Sequence, residues 1–91
     1  MSYYVYVLQS EVNGSYYKGF TENPLQRLAQ HNNGETVSTR HLVPWKLLYV
    51  ELCESKQAAL IRERNLKKAT RERIIALLVH PKNIVGSFYE G

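Results

Sequence analysis

The chain has 91 residues, with twelve Lys and Arg against eight acidic residues for a net charge of +4; 44% of its residues are hydrophobic and 22% charged. That is one domain by length, too short for a dinucleotide fold with a substrate domain or for an α/β barrel, and too apolar for disorder as its main state. One cysteine (Cys53) and three scattered histidines (His31, His41, His80) leave no internal disulfide and no structural zinc spacing, while the longest apolar runs, Tyr3–Leu8 and Ile74–Val79, fall far short of a membrane span, so a soluble, cytoplasmic protein with no membrane partner is expected.

Residues 3–9 are aromatic, β-branched and apolar on both faces, which predicts a strand covered on both sides. Asn13-Gly14 is a hairpin signal, and Tyr16–Phe20 returns as the second strand. Asn23-Pro24 opens a helix, with Asn as cap and Pro at its first position, running to about Asn33 with Gly34 as its stop. Residues 35–45 form a polar loop. Lys46–Cys53 reads as a third strand, and Ser55 and Thr70 cap helices through about Lys68 and up to Pro81. The order β-β-α-β-α-α predicts an α/β (α+β) fold, a small sheet with helices packed on it. The domain is expected to span residues 1–81. The tail 82–91 is expected to be loosely attached, with Ile84, Val85, Phe88 and Tyr89 as local docking points.

The positive charge is concentrated. Lys56, Arg62, Arg64, Lys67, Lys68, Arg71 and Arg73 face only Glu63 and Glu72 in the same stretch. Such an excess suits a polyanion or serves as a solvated helix surface.

Three places break the pattern of a plain core. Glu63 lies on the stripe marked by Ala59, Leu60 and Leu66, where a carboxylate must meet a cation, a metal or a water-filled cleft; a rim ion pair with Arg62 or Lys67 would also serve. Leu25, Leu28 and Ala29 are expected to face the core from the first helix, leaving Arg27 and His31, four apart, on another face as a phosphate clamp or a solvated pair. A two-residue turn at Asn13-Gly14 sets Tyr6 opposite Thr21, Leu8 opposite Gly19 and Ser10 opposite Tyr17. Tyr6 and Tyr17 then share a face with Gly19 between them, either as plain core or as two phenols over a hollow open to a ligand.

These residues carry a resemblance. Tyr4-Val5-Tyr6 and Tyr17-Lys18-Gly19, then Gly19-Phe20-Thr21-Glu22-Asn23-Pro24 with Arg27, Gln30-His31-Asn32, Pro44-Trp45-Lys46-Leu47 and Ala59-Leu60 through Glu63 together resemble the GIY-YIG nuclease superfamily. The likeness is to its short bacterial members and to the nuclease domain of structure-specific junction endonucleases, and it covers residues 3 to about 78. It departs from the pattern at Tyr4 (in place of glycine), Lys18 (in place of isoleucine) and Phe20 (where larger members have lysine). It offers no match for a late asparagine, since Asn65, two residues from Glu63, points elsewhere.

The resemblance implies a three-stranded antiparallel sheet flanked by helices and a metal-dependent endonuclease acting on DNA, of a branched or otherwise structured kind, in repair or recombination. It implies Tyr17 as general base or its close partner, Tyr6 beside it, Arg27 on the scissile phosphate, His31 near that phosphate, and Glu63 as the ligand of a single Mg²⁺ or Mn²⁺. These five are expected to surround one concave site. A phenol of ordinary pKa ~10 needs nearby positive charge to act as a base, with Arg27, Lys18 and the metal as sources. Lys18, Arg40, Arg62, Arg64, Lys67, Lys68 and Arg71 are the candidate nucleic-acid contacts. A nucleic-acid-binding module with little or no turnover, and a partner-binding domain with a basic surface helix, are the rival readings.

Overall fold

The structure, a computed structural model, describes residues 2–89. Met1, at the start of the expected domain, and Glu90 and Gly91, at the end of the expected tail, lie outside the described residues. The elements are β1 (Tyr3–Ser10), β2 (Tyr16–Thr21), α1 (Pro24–Asn32), β3 (Trp45–Cys53), α2 (Lys56–Lys68) and α3 (Arg71–Leu78), in the expected order. Two short pieces are added, a 3₁₀ turn at Arg40–Leu42 and one helical turn, α4 (Gly86–Tyr89). The sheet is antiparallel with order β2-β1-β3. Central β1 has Val5 to Leu8 all buried, as a strand covered on both faces must.

The hairpin register differs from the expected one by two residues. Tyr6 lies opposite Gly19 and Leu8 opposite Tyr17. The turn is longer than Asn13-Gly14 because Ser10 closes a wider loop. Its amide donates to the Ser15 carbonyl, its hydroxyl accepts from the Val12 and Asn13 amides, and Asn13 Oδ1 accepts from the Ser15 amide. Short polar side chains thus take up loop amides that a two-residue turn would not have. A slip of two keeps side-chain parity, so Tyr6, Tyr17 and Gly19 still share a face. The sheet's irregularity lies instead between β1 and β3, where Val7 pairs Tyr49 and Leu8 pairs Leu47, leaving Leu48 as the extra residue.

One face of the sheet (Val5, Val7, Tyr49) packs on Ala59 and Leu66 of α2 and on Ile74 and Leu77 of α3. The other (Tyr6, Leu8, Trp45, Leu47, Val50) is covered by Leu28 of α1, Leu42 and Val43 of the loop, and Ile84, Val85 and Phe88 of the tail. Each buried aliphatic side chain contributes ~1.5–3 kcal/mol. Asn23, Ser55 and Thr70 each accept a first-turn amide, from Gln26, Ala58 and Arg73, at ~1 kcal/mol per cap.

Two expectations are corrected. Helix α1 turns Pro24, Arg27, Leu28 and His31 inward, while Leu25 and Ala29 are exposed. Both stripes fit a 3.6-residue period. The inward one carries His31, and because both ring nitrogens find partners its burial costs little. The described tail is not loose. The Asn83 side chain accepts from the Val50 amide and donates to the Leu48 and Leu78 carbonyls. The Ile84 amide donates to Val50, Tyr89 Oη donates to Leu47, and Phe88 meets Tyr4 edge-on.

Candidate active site

Gly19 sits on β2, an edge strand, directly opposite Tyr6. A Cβ there would lie 2.7 Å from Tyr6 Oη and 2.9 Å from its Cζ. The hollow expected beneath two phenols is therefore filled, because the Tyr6 ring itself lies across Gly19 and carries its hydroxyl over the edge strand. Glycine is required for that close approach.

The Tyr6 hydroxyl is the node of the site. It is 3.1 Å from His31 Nε2, and the Arg27 guanidinium acts on it electrostatically. Burial pushes its pKa up to about 12. Arg27 opposes the rise, and the charges of Tyr17 and Glu63 add to it. His31 is fully buried, its Nδ1 lying 2.8 Å from Thr39 Oγ1. Burial brings its pKa down to about 4, with the Arg27 charge acting in the same direction, so the imidazole is neutral at physiological pH. Tyr17 packs edge-on against His31, with ring centroids 4.8 Å apart, and lies 6.3 Å from Tyr6. Arg27 is steadied by a 2.9 Å bond to Gln30. Glu63 comes from α2, which packs on β1 and β2, and its side chain is 18% exposed, with Lys67 Nζ at 3.8 Å. Of the two rim partners expected for Glu63, Lys67 is the one observed. Tyr6 of β1, Tyr17 of β2 and His31 of α1 thus cluster, with the charges of Arg27 on α1 and Glu63 on α2 acting on the Tyr6 phenol.

A groove of about 610 Å³ lies along β3, the opposite edge, between Leu52, Cys53, Ile61 and Ile84. None of the five lines it, and Asn65 does. Asn83 is tied to β3, so neither of these late asparagines joins the five.

The basic candidates separate. Arg62 donates from Nε to Glu51 Oε1 at 3.1 Å, and Tyr49 Oη donates to the same oxygen. Arg62 is thus occupied by a buried acid that the sequence did not single out, which corrects its expected role as a free nucleic-acid contact. Burial, followed by the Glu51 hydrogen bond, pushes the Tyr49 phenol up to about 12. Lys18 pairs opposite Val7 and so belongs to the α2–α3 face, across the sheet from Tyr17, with its Nζ 6.0 Å from the Tyr16 ring. It is not placed beside Tyr17 as a source of positive charge. Arg71 reaches the hairpin, its guanidinium 5.0 Å from the Tyr16 ring. Arg40, Arg64, Lys67 and Lys68 are exposed.

The sequence reading also missed Thr39, Trp45 and Asn32 as supports. Trp45 Nε1 donates to the Thr39 carbonyl, and the Asn32 side chain accepts from the Trp45 amide and donates to its carbonyl. No local periodicity marks these contacts, because they join a helix end, a loop and a strand start. Among the described residues no helix is long and apolar enough to cross a membrane.

Comparison with known proteins agrees with this fold. The family model described as the GIY-YIG catalytic domain matches residues 2–75. The UPF0213 protein CPE1444 of Clostridium perfringens is 40% identical over 88 residues, covering 96% of this chain and 92% of that protein. The UPF0213 protein SAG0778 of Streptococcus agalactiae is 38% identical over 81 residues, 88% and 91% of the two. The solution NMR structure of the UPF0213 protein BH0048 from Bacillus halodurans superposes with a TM-score of 0.57 at 28% identity, over 93% of this chain and 90% of that one. The matched span holds both tyrosines, the arginine, the histidine and the glutamate, and the chain belongs to the GIY-YIG catalytic-domain family.

Proposed function

We propose that the chain is a divalent-metal-dependent endonuclease that hydrolyses phosphodiester bonds of branched or otherwise structured DNA, serving repair or recombination in the cytoplasm. The observation that carries this reading is the cluster of Tyr6, His31 and Tyr17, with the charges of Arg27 and Glu63 acting on the Tyr6 phenol. With its pKa near 12, Tyr6 stays a neutral phenol and serves as a hydrogen-bond partner. Tyr17, half-buried on the same face, is the phenol left to meet water and take its proton as that water attacks phosphorus. Arg27 neutralises the charge gathering on the phosphoryl oxygens.

Glu63 is the candidate metal ligand. Among the described residues no three His, Cys, Asp or Glu side chains gather. A lone carboxylate suits a hard ion that keeps most of its water, Mg²⁺ or Mn²⁺, and not a zinc cage. When bound, the ion supplies positive charge to the leaving oxygen.

The test is a pair of variants assayed for nicking of branched DNA, with calorimetric metal titration and thermal melts. Glu63→Gln is expected to weaken metal binding and abolish cleavage while DNA binding persists. Tyr17→Phe is expected to keep the metal and slow cleavage by roughly 10²–10⁴-fold, about 3–5 kcal/mol of barrier. Full cleavage by a folded variant removes that residue's role. Salt-sensitive binding by the wild type with no turnover leaves the rival reading, a nucleic-acid-binding module.

A further inference from the structure

Thr39 is buried, eight residues beyond His31, and held on two sides. Its carbonyl accepts from Trp45 Nε1 and from the Leu42 amide, and its own amide, like that of Arg40, donates to the Thr36 carbonyl. The resulting turn presents its hydroxyl to His31 Nδ1 at 2.8 Å, with the Thr36 carbonyl 3.4 Å away on the other side.

We propose that Thr39 is a positioning residue that holds His31 in the Nδ1-protonated tautomer and thereby sets the direction in which the Tyr6 proton points. The catalytic consequence rests on the nuclease reading above; the tautomer does not. The assignment follows from counting protons and acceptors. The Arg27 guanidinium, whose charge acts on Tyr6, has no lone pair to accept the phenolic proton. The phenolic proton needs an acceptor, and the buried one at hydrogen-bond distance is His31 Nε2. Nε2 must then be bare, so the neutral ring carries its proton on Nδ1 and donates it to Thr39 Oγ1. Thr39 passes its own proton to the Thr36 carbonyl, which can only accept. Each group in the chain is satisfied in that one direction.

The functional result is an orientation. With its proton turned inward to His31, Tyr6 shows the site its lone pairs, in the field of Arg27 and able to accept from a water beside Tyr17. In the other tautomer Nε2–H would occupy that oxygen and the phenolic proton would face out, against the charge of Arg27.

The experiment is nitrogen-15 NMR of the His31 ring at neutral pH in the wild type, Thr39→Val and Thr39→Ser, beside steady-state nicking of branched DNA. The wild type is expected to show a protonated Nδ1 and a bare Nε2. Thr39→Val deprives the Nδ1 proton of its acceptor and is expected to move the proton to Nε2. Its kcat is expected to fall roughly 10–100-fold, the usual loss when a group orienting a site histidine is removed, with KM unchanged. Thr39→Ser keeps the hydroxyl and is expected to restore both.

A wild-type ring protonated at Nε2 overturns the proposal even if Thr39→Val does not fold. So does a folded Thr39→Val protein that keeps the wild-type tautomer. An unchanged kcat after a tautomer shift overturns the positioning role. A chain that cuts no DNA in any form still reports its tautomer, so failure of the nuclease reading is told apart from failure of this one.

Discussion

His31 pays for its place in the core only when it must carry charge. Its folded pKa, near 4, lies below the ordinary value of 6.5, so the unfolded chain binds more protons between those values. The resulting stability is whole above pH 6.5 and drains away as pH falls through 4, by ~3 kcal/mol in total. Urea unfolding from pH 7.5 to 4 should show this loss, and His31→Gln should remove that part of the slope. Parallel slopes for the two proteins would rule it out. The five candidate site residues stood out in the sequence through the pattern they share with the family, Tyr4-Val5-Tyr6, Tyr17-Lys18-Gly19, Arg27 four residues before His31, and Glu63. Thr39 and Glu51 were not legible, since each matters only through a partner brought in by the fold.

Elements were easier to read than their facing. Three caps and the order of strands and helices follow from local chemistry and appear where expected, while the hairpin register does not. Facing depends on which of two equivalent stripes finds partners, and α1 turned its polar stripe inward because Tyr6 and Thr39 were waiting for His31. On α2 the sequence offered Arg62 to Glu63 or to DNA, and the fold gave it to Glu51 of β3. Arg62→Met would leave Glu51 facing Tyr49 without its cation. Complete loss of a buried pair costs ~3–5 kcal/mol. With Arg62 27% and Glu51 11% exposed, solvent screening lowers the expected loss to about 2 kcal/mol. A thermal melt should fall by roughly 10 °C, with DNA affinity little changed. A melt within a degree of wild type would show that the pair is not structural.

For the whole molecule, charge and the sheet edge act together. Lys67 and Arg71 reach Glu63 and the hairpin respectively, and Arg40, Arg64 and Lys68 add exposed cations. If about five of these meet phosphates, the log–log salt dependence of DNA binding should have a slope of about −4 to −5. A flat dependence would remove the basic helices as the contact surface. Composition announced this excess charge and concentrated it in one stretch. It could not say which cations were already taken, because that depends on an acid eleven residues before Arg62.

The two borders of the sheet meet different fates. Along β3, Asn83 and Ile84 occupy the outward amide and carbonyl of Val50 and the carbonyl of Leu48, so the tail acts as a substitute strand. A chain cut back to Pro81 would bare those groups together with the apolar faces of Leu47 and Val50, the kind of border that recruits another copy. Shortened in this way, the protein should sediment as dimers or larger species at concentrations where the full chain stays monomeric. Residues 82–89 would then act as a guard against self-association, a duty separate from any chemistry at the far border.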